Sequence, residues 1–241
     1  MCGRYAMTLP RQAIEALFPL SRPPELIARY NIAPTQPILA IWQDHGRREA
    51  HLARWGFVPR WVKDPRDFPL LVNARAESMA EKPAFRDAVR RQRCIVPASG
   101  YYEWRTDGPR SKQPFYITLA DDEPMMLAGL WSTWSGPNGE EIDTVATITL
   151  EANAQLAAIH NRMPLILRGD AVDAWLDTAA IGASATALVR QLPEGAVKFH
   201  PVSRRVNSAR DDDEGLIEPV ADEPVAQAPA SEAEDTQLKL F

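Results

Sequence analysis

Cysteine and histidine are scarce in this chain of 241 residues, which has two of the first and four of the second. Two cysteines, Cys2 and Cys94, cannot build a disulfide framework, and neither residue type recurs at the spacing of a zinc site. No metal and no cofactor is therefore expected. Long apolar runs are also missing. Stretches such as Met125 to Trp131 fall far short of the roughly 20 residues that cross a bilayer, and the first residues lack the basic, apolar and cleavage regions of a secretory signal. The expectation is a cytoplasmic protein without a membrane span. No internal repeat is present.

Hydrophobic residues make up 45% of the chain, enough for a single domain with a substantial core. The net charge of −5 divides unevenly. Residues 208–241 hold ten acidic and two basic residues, which leaves 25 basic against 22 acidic in residues 1–207. Within the body, residues 47–93 carry twelve Lys and Arg against six acids. A basic stretch containing tryptophan suits a polyanion such as single-stranded DNA, although a solvated mixed-charge surface is the plainer reading.

Taken in order, Thr8 is placed to cap a first helix, with Pro10 in its first turn and Ala13, Ile14, Leu17 and Phe18 on one face. Pro23-Pro24 ends it. Tyr30 to Pro34 reads as a loop, Pro37 to Trp42 and His51 to Val58 as a hairpin, and Ala84 to Arg91 as a helix. Cys94 sits in an apolar strand, where a buried inert thiol is expected. Strands at 114–119, 125–131 and 144–150, separated by polar turns, suggest an antiparallel sheet or barrel. Short helices at 151–159, 171–179 and 184–192 and a strand at 197–202 complete the body.

Four places carry chemistry. Once Met1 is removed, Cys2 presents an α-amine with pKa near ~7.7–8 and a thiol near ~8.5 on adjacent carbons, both usable at neutral pH without large tuning. Such an aminothiol condenses with an aldehyde to an imine, which the thiol closes to a thiazolidine. Asn73-Ala74-Arg75 follows an apolar run and reads as exposed at a strand end. Glu103 lies between Tyr102 and Trp104, where desolvation would raise its pKa toward neutrality; the alternative is a strand glutamate pointing to water. His160 stands where a helix stops, and a lone histidine is more often structural.

Cys2-Gly3-Arg4-Tyr5, Tyr30-Asn31-Ile32-Ala33-Pro34, Asn73-Ala74-Arg75-Ala76-Glu77, Gly100-Tyr101-Tyr102-Glu103-Trp104, His160-Asn161-Arg162-Met163-Pro164 and His200-Pro201-Val202-Ser203 occur in this order. With these blocks the chain resembles the SRAP family of abasic-site processing proteins over about residues 2–220. The resemblance implies a single α+β domain over residues 2–218, with a curved, mainly antiparallel, barrel-like sheet and peripheral helices. It also implies a monomer, associated with the nucleoid, that binds single-stranded DNA and links Cys2 to the aldehyde of an abasic site, with self-processing at Met1 and lyase activity through the imine. By the same match, Glu103 and His160 move protons, Asn73 holds the terminus and sugar, Arg4, Arg75 and Arg162 grip phosphates, and Trp61 is a candidate wedge or stacking side chain.

Beyond residue 218 the composition turns to Pro, Ala, Asp, Glu and Gln, which reads as a disordered acidic linker over 219–236. It ends in Gln237-Leu238-Lys239-Leu240-Phe241. This pentapeptide resembles the sliding-clamp-binding motif of bacterial replication and repair proteins, with Gln237, Leu238, Leu240 and Phe241 as the docking residues. About eighteen linker residues would give it a reach of roughly 20–25 Å. Two other classes fit parts of the pattern: an N-terminal-cysteine amidohydrolase, which also begins Cys-Gly, and a non-enzymatic adaptor holding single-stranded DNA near a clamp.

Overall fold

In the computed structural model, residues 2–20, 25–44, 46–108, 111–179 and 183–222 are described. Met1 and residues 237–241, with most of the expected linker, lie outside them. The elements run β1 (Tyr5–Met7), α1 (Arg11–Leu17), β2 (Arg29–Ile32), β3 (Pro37–Asp44), β4 (Arg47–Trp55), β5 (Asn73–Arg75), α2 (Arg86–Arg91), β6 (Arg93–Ala98), β7 (Gly100–Gly108), β8 (Ser111–Leu119), β9 (Met125–Ser135), β10 (Glu141–Glu151), α3 (Ala154–Ala157), β11 (Arg162–Pro164), β12 (Ile166–Leu167), α4 (Asp170–Leu176), α5 (Ala183–Ala187) and β13 (Val197–Pro201). The fold is α+β, mainly antiparallel, as expected. Among the described residues no helix is long and apolar enough to cross a membrane.

Strand β6 and the first six residues of β9 are buried throughout, so both faces of each are covered. This is why their sequences read as continuous apolar runs rather than alternating ones. Five strands close on themselves in the order β10-β4-β3-β6-β9, with β9 pairing back to β10. Closure removes the sheet edges, and both faces of the barrel wall pack into the main core, which includes Trp55, Ile38, Ile41 and Ile95. A second sheet, β13-β8-β7-β1-β2, lies against this barrel. Tyr5 of β1 meets Trp55 of β4 edge-on with ring centroids 5.4 Å apart. That contact fixes the start of the chain between the two sheets.

Strand β10 is the spine of the molecule. Its first half pairs with β9 and, in parallel, with β4; its second half pairs with β11 and, in parallel, with β5. The short strands carrying Asn73, Arg75 and Arg162 are therefore stacked on one long strand.

Several expected elements shift. Thr8 does not cap α1: its hydroxyl and amide bond to Ser99 Oγ, both at 2.8 Å, and Pro10 takes the cap position. Arg29–Ile32 is a strand rather than a loop, because it pairs with β1 and its amides at Tyr30 and Asn31 donate to Asp212. The helix expected over 151–159 shrinks to Ala154–Ala157, since Glu151 completes β10 and Asn153 supplies the cap. The body also continues past residue 218: Val202 bridges to Pro219, Val220 donates to the carbonyl of Pro201, and Asp222 pairs with Arg105. The expected start of the linker at 219 thus falls four residues inside the attached chain.

Candidate active site

Cys2 is fully buried between the sheets. Its carbonyl accepts from Asn73 Nδ2 at 2.8 Å, and the Asn73 Oδ1 accepts from the Thr147 hydroxyl at 2.6 Å. With the oxygen occupied by Thr147, the amide can present only its NH2 to the cysteine. The Asn73–Thr147 contact follows from the β5–β10 register, which sets these two residues opposite each other.

Glu103 approaches from β7 in the other sheet and is 3% exposed. Burial raises its carboxyl to about 7, against the opposing positive charge of the amino terminus and a backbone bond at Trp104. Near neutrality the group both donates and accepts protons. The strand glutamate pointing to water is therefore overturned. Burial, and then the Glu103 charge, push the Cys2 thiol far up, outweighing the amino-terminal charge. With Met1 still attached, the buried thiol stays protonated at neutral pH.

His160 follows α3 and is half-buried, with its Nδ1 accepting the Arg162 amide at 3.0 Å. That bond places the proton on Nε2 in the neutral ring. Burial lowers its pKa, and the amino-terminal charge lowers it further.

The three arginines separate. Arg4 turns inward, with Nη1 donating to Asn31 Oδ1 at 2.8 Å and to the Val206 carbonyl at 2.7 Å. Arg162 forms a fork on Glu77, at 2.7 and 2.8 Å, and donates to the Thr149 carbonyl at 2.6 Å. Arg75 is exposed and, among the described residues, has no ion pair. Trp61 is 61% exposed and edge-on to Phe68 at 5.6 Å. Thr147, Glu77 and Asn31, which bond to Asn73, Arg162 and Arg4, were passed over by the sequence reading. The last two sit inside the quoted blocks, and that was the available signal.

A family model described as SOS response associated peptidase (SRAP) matches residues 1–209. The chain belongs to the SRAP family. Abasic site processing protein YoqW of Bacillus subtilis is 33% identical to this SRAP protein over 222 residues, spanning 90% of this chain and 99% of its own. Abasic site processing protein YedK of Escherichia coli is 33% identical over 232 residues, spanning 91% and 100%. A crystal structure of a Bacteroides thetaiotaomicron protein superimposes with a TM-score of 0.82 at 25% identity, covering 91% of this chain and 100% of that one. The likeness thus extends over the whole SRAP body.

Proposed function

We propose that this protein captures abasic sites in single-stranded DNA as a covalent thiazolidine on Cys2. The observation that carries this reading is a fully buried cysteine at position 2, its carbonyl held by Asn73, together with a buried carboxyl, Glu103, raised to about 7. An abasic deoxyribose hides its aldehyde as a ring hemiacetal. Glu103, protonated, donates to the ring oxygen as the ring opens. With Met1 gone, the Cys2 amine adds to the aldehyde carbon and water leaves, giving an imine. The sulfur then bonds to the imine carbon while the thiol proton passes to the nitrogen, so no external reagent is consumed. His160 relays protons on the opposite side.

The imine is also competent for β-elimination, which would cut the strand; ring closure by sulfur competes with that lyase path and shields the lesion. Removal of Met1 by the same residues would be the peptidase step. In the DNA groove, the exposed Arg75 is the first phosphate contact and Trp61 the stacking side chain. Arg162 reaches a phosphate by exchanging it for Glu77, and Arg4 supports the site from inside. A monomer in the cytoplasm, docked to the sliding clamp through Gln237, Leu238, Leu240 and Phe241, completes the reading. Loss of clamp pull-down on deleting 237–241 is expected, and an unchanged pull-down contradicts the docking role.

A denaturing gel of protein mixed with abasic and intact single-stranded oligonucleotides tests the central step. A shifted band with the abasic strand alone is expected; shifted bands with neither strand, or with both, oppose it.

A further inference from the structure

A second cavity, of about 250 Å³, opens between the segment that follows β4 and the paired strands β9 and β10. Val58, Trp134 and Ile142 form its floor, the last two directly opposite each other in the β9–β10 register. Trp134 Nε1 donates to the Val62 carbonyl at 2.7 Å. Thr144 Oγ1 accepts the Val58 amide at 3.0 Å and donates to the Ser132 carbonyl at 3.1 Å. The side-chain polar atoms of Trp134 and Thr144 are thus engaged, and the floor meets an occupant as an apolar surface. Both charged residues that line the cavity are arginines, Arg54 and Arg66. Arg54 donates to the Gly56 carbonyl at 3.1 Å, and Arg66, largely exposed, pairs with Asp64.

Exposed apolar side chains gather around this opening. Of seven large ones among the described residues, four border it. Ile142 is in the floor, and Leu52 lies two residues from Arg54 on β4. Leu70 and Arg54 both press on Gly56, where an added Cβ would stand 2.5 and 2.9 Å from them. Trp61 meets Phe68, which packs on Val58, Val62 and Trp134. Such a cluster rimmed by charge marks a binding surface. A flat ring suits the floor and an anion suits the arginines, a combination that one nucleotide supplies. With Trp134 and Thr144 already bonded, the floor accepts any base by its apolar face.

We propose that this cavity holds a base of the single strand flanking the abasic sugar, with Arg54 and Arg66 on the adjoining phosphates. The inference rests on the reading of Cys2 as the capture site. Thr144 lies three residues before Thr147 on β10, whose hydroxyl anchors the Asn73 amide that holds the Cys2 carbonyl. That separation is about 10 Å along the strand. It spans about three stacked nucleotides at 3.4 Å each, and fewer in an extended strand. Arg66 exchanges Asp64 for a phosphate oxygen when the strand binds.

The test uses the full chain and single-stranded oligonucleotides with a central tetrahydrofuran, a base-less sugar without an aldehyde, so that binding is read apart from capture. Affinity is followed by fluorescence anisotropy for the parent, Ile142→Asp and Arg54→Gln, with melting midpoints as the check on folding. Ile142→Asp is expected to weaken binding roughly 10-fold, and Arg54→Gln about 3-fold with a salt slope smaller by roughly 1. Removing one base at a time beside the tetrahydrofuran should cost the parent about 5-fold or more at one position within three nucleotides, and Ile142→Asp nothing further at that position. Equal affinities of parent and both variants, with unchanged melting midpoints, overturn the proposal. A variant that alters sedimentation of the protein alone but binds DNA as the parent does also overturns it, and makes this face an interface between copies. Capture of a true abasic strand is measured in parallel. Weakened binding by the variants without capture by any form, the parent included, supports the base pocket and counts against abasic-site capture. Capture with equal affinities does the reverse.

Discussion

Cys2 and Cys94 are both fully buried and free, and burial pushes both thiols far up. Their surroundings differ. Cys94 lies in the barrel wall on β6, so close to β9 that a Cβ added at Gly129 would stand 2.8 Å from its sulfur. Nothing but burial shifts its thiol. Cys2 lies between the two sheets, with Asn73 on its carbonyl and the Glu103 carboxyl acting on its sulfur. Burial is thus common to both cysteines. What separates them is polar company able to move protons and, in the proposed reading, an amine on the adjacent carbon once Met1 is gone.

The largest test of this contrast is deletion of each sulfur. Cys2→Ala is expected to abolish a stable crosslink on denaturing gels while leaving DNA binding intact; Cys94→Ala is expected to crosslink normally and lose about 1–2 kcal/mol of stability to the cavity. An undiminished crosslink in Cys2→Ala would collapse the comparison. Next comes Glu103→Gln, expected to slow crosslinking roughly 100-fold, the lower range for loss of a general acid–base.

Glu103 also sharpens the contrast through pH. Its folded pKa of about 7 lies above the ordinary 4.5, so the folded state holds this proton more tightly than the unfolded chain. Stability from this group is full below the unfolded value and is lost as pH rises through about 7, amounting to roughly 3 kcal/mol. Denaturant unfolding of Glu103→Gln should show a shallower decline over that window than the parent. Parallel curves would mean the carboxyl is not perturbed.

Smaller effects are expected at the edges of the chamber. Asn73→Ala should slow capture about 10-fold and Thr147→Val less, because the valine leaves the amide in place without its anchor. Arg75→Ala should cost about 1 kcal/mol of DNA affinity and reduce the slope of log affinity against log salt by roughly 1. A slope unchanged by Arg75→Ala would remove it from the phosphate path.

Much of the fold could be read in the sequence, for identifiable reasons. Long buried strands announce themselves, β9 by the apolar run from Met125 to Leu130 and β10 by its β-branched Thr144, Val145, Thr147, Ile148 and Thr149. The closure of the barrel does not, because it depends on the parallel pairing of β10 with β4, which joins segments far apart in the chain. Thr8 illustrates the same limit at small scale: a good cap residue is diverted to Ser99, 91 residues away. In the candidate site, Cys2, Glu103 and His160 were legible as blocks of unusual composition, while the burial of Cys2 and Glu103 was not. The three arginines read alike in sequence, and only long-range partners distinguish the inward Arg4, the paired Arg162 and the open Arg75.

The most direct test of the account is the intact mass of the protein after mixing with an abasic-site oligonucleotide. The account expects a species lacking Met1, joined to the strand with loss of one water, whose adduct maps to the peptide beginning at Cys2. An adduct mapping elsewhere, or none from folded protein already free of Met1, would contradict it.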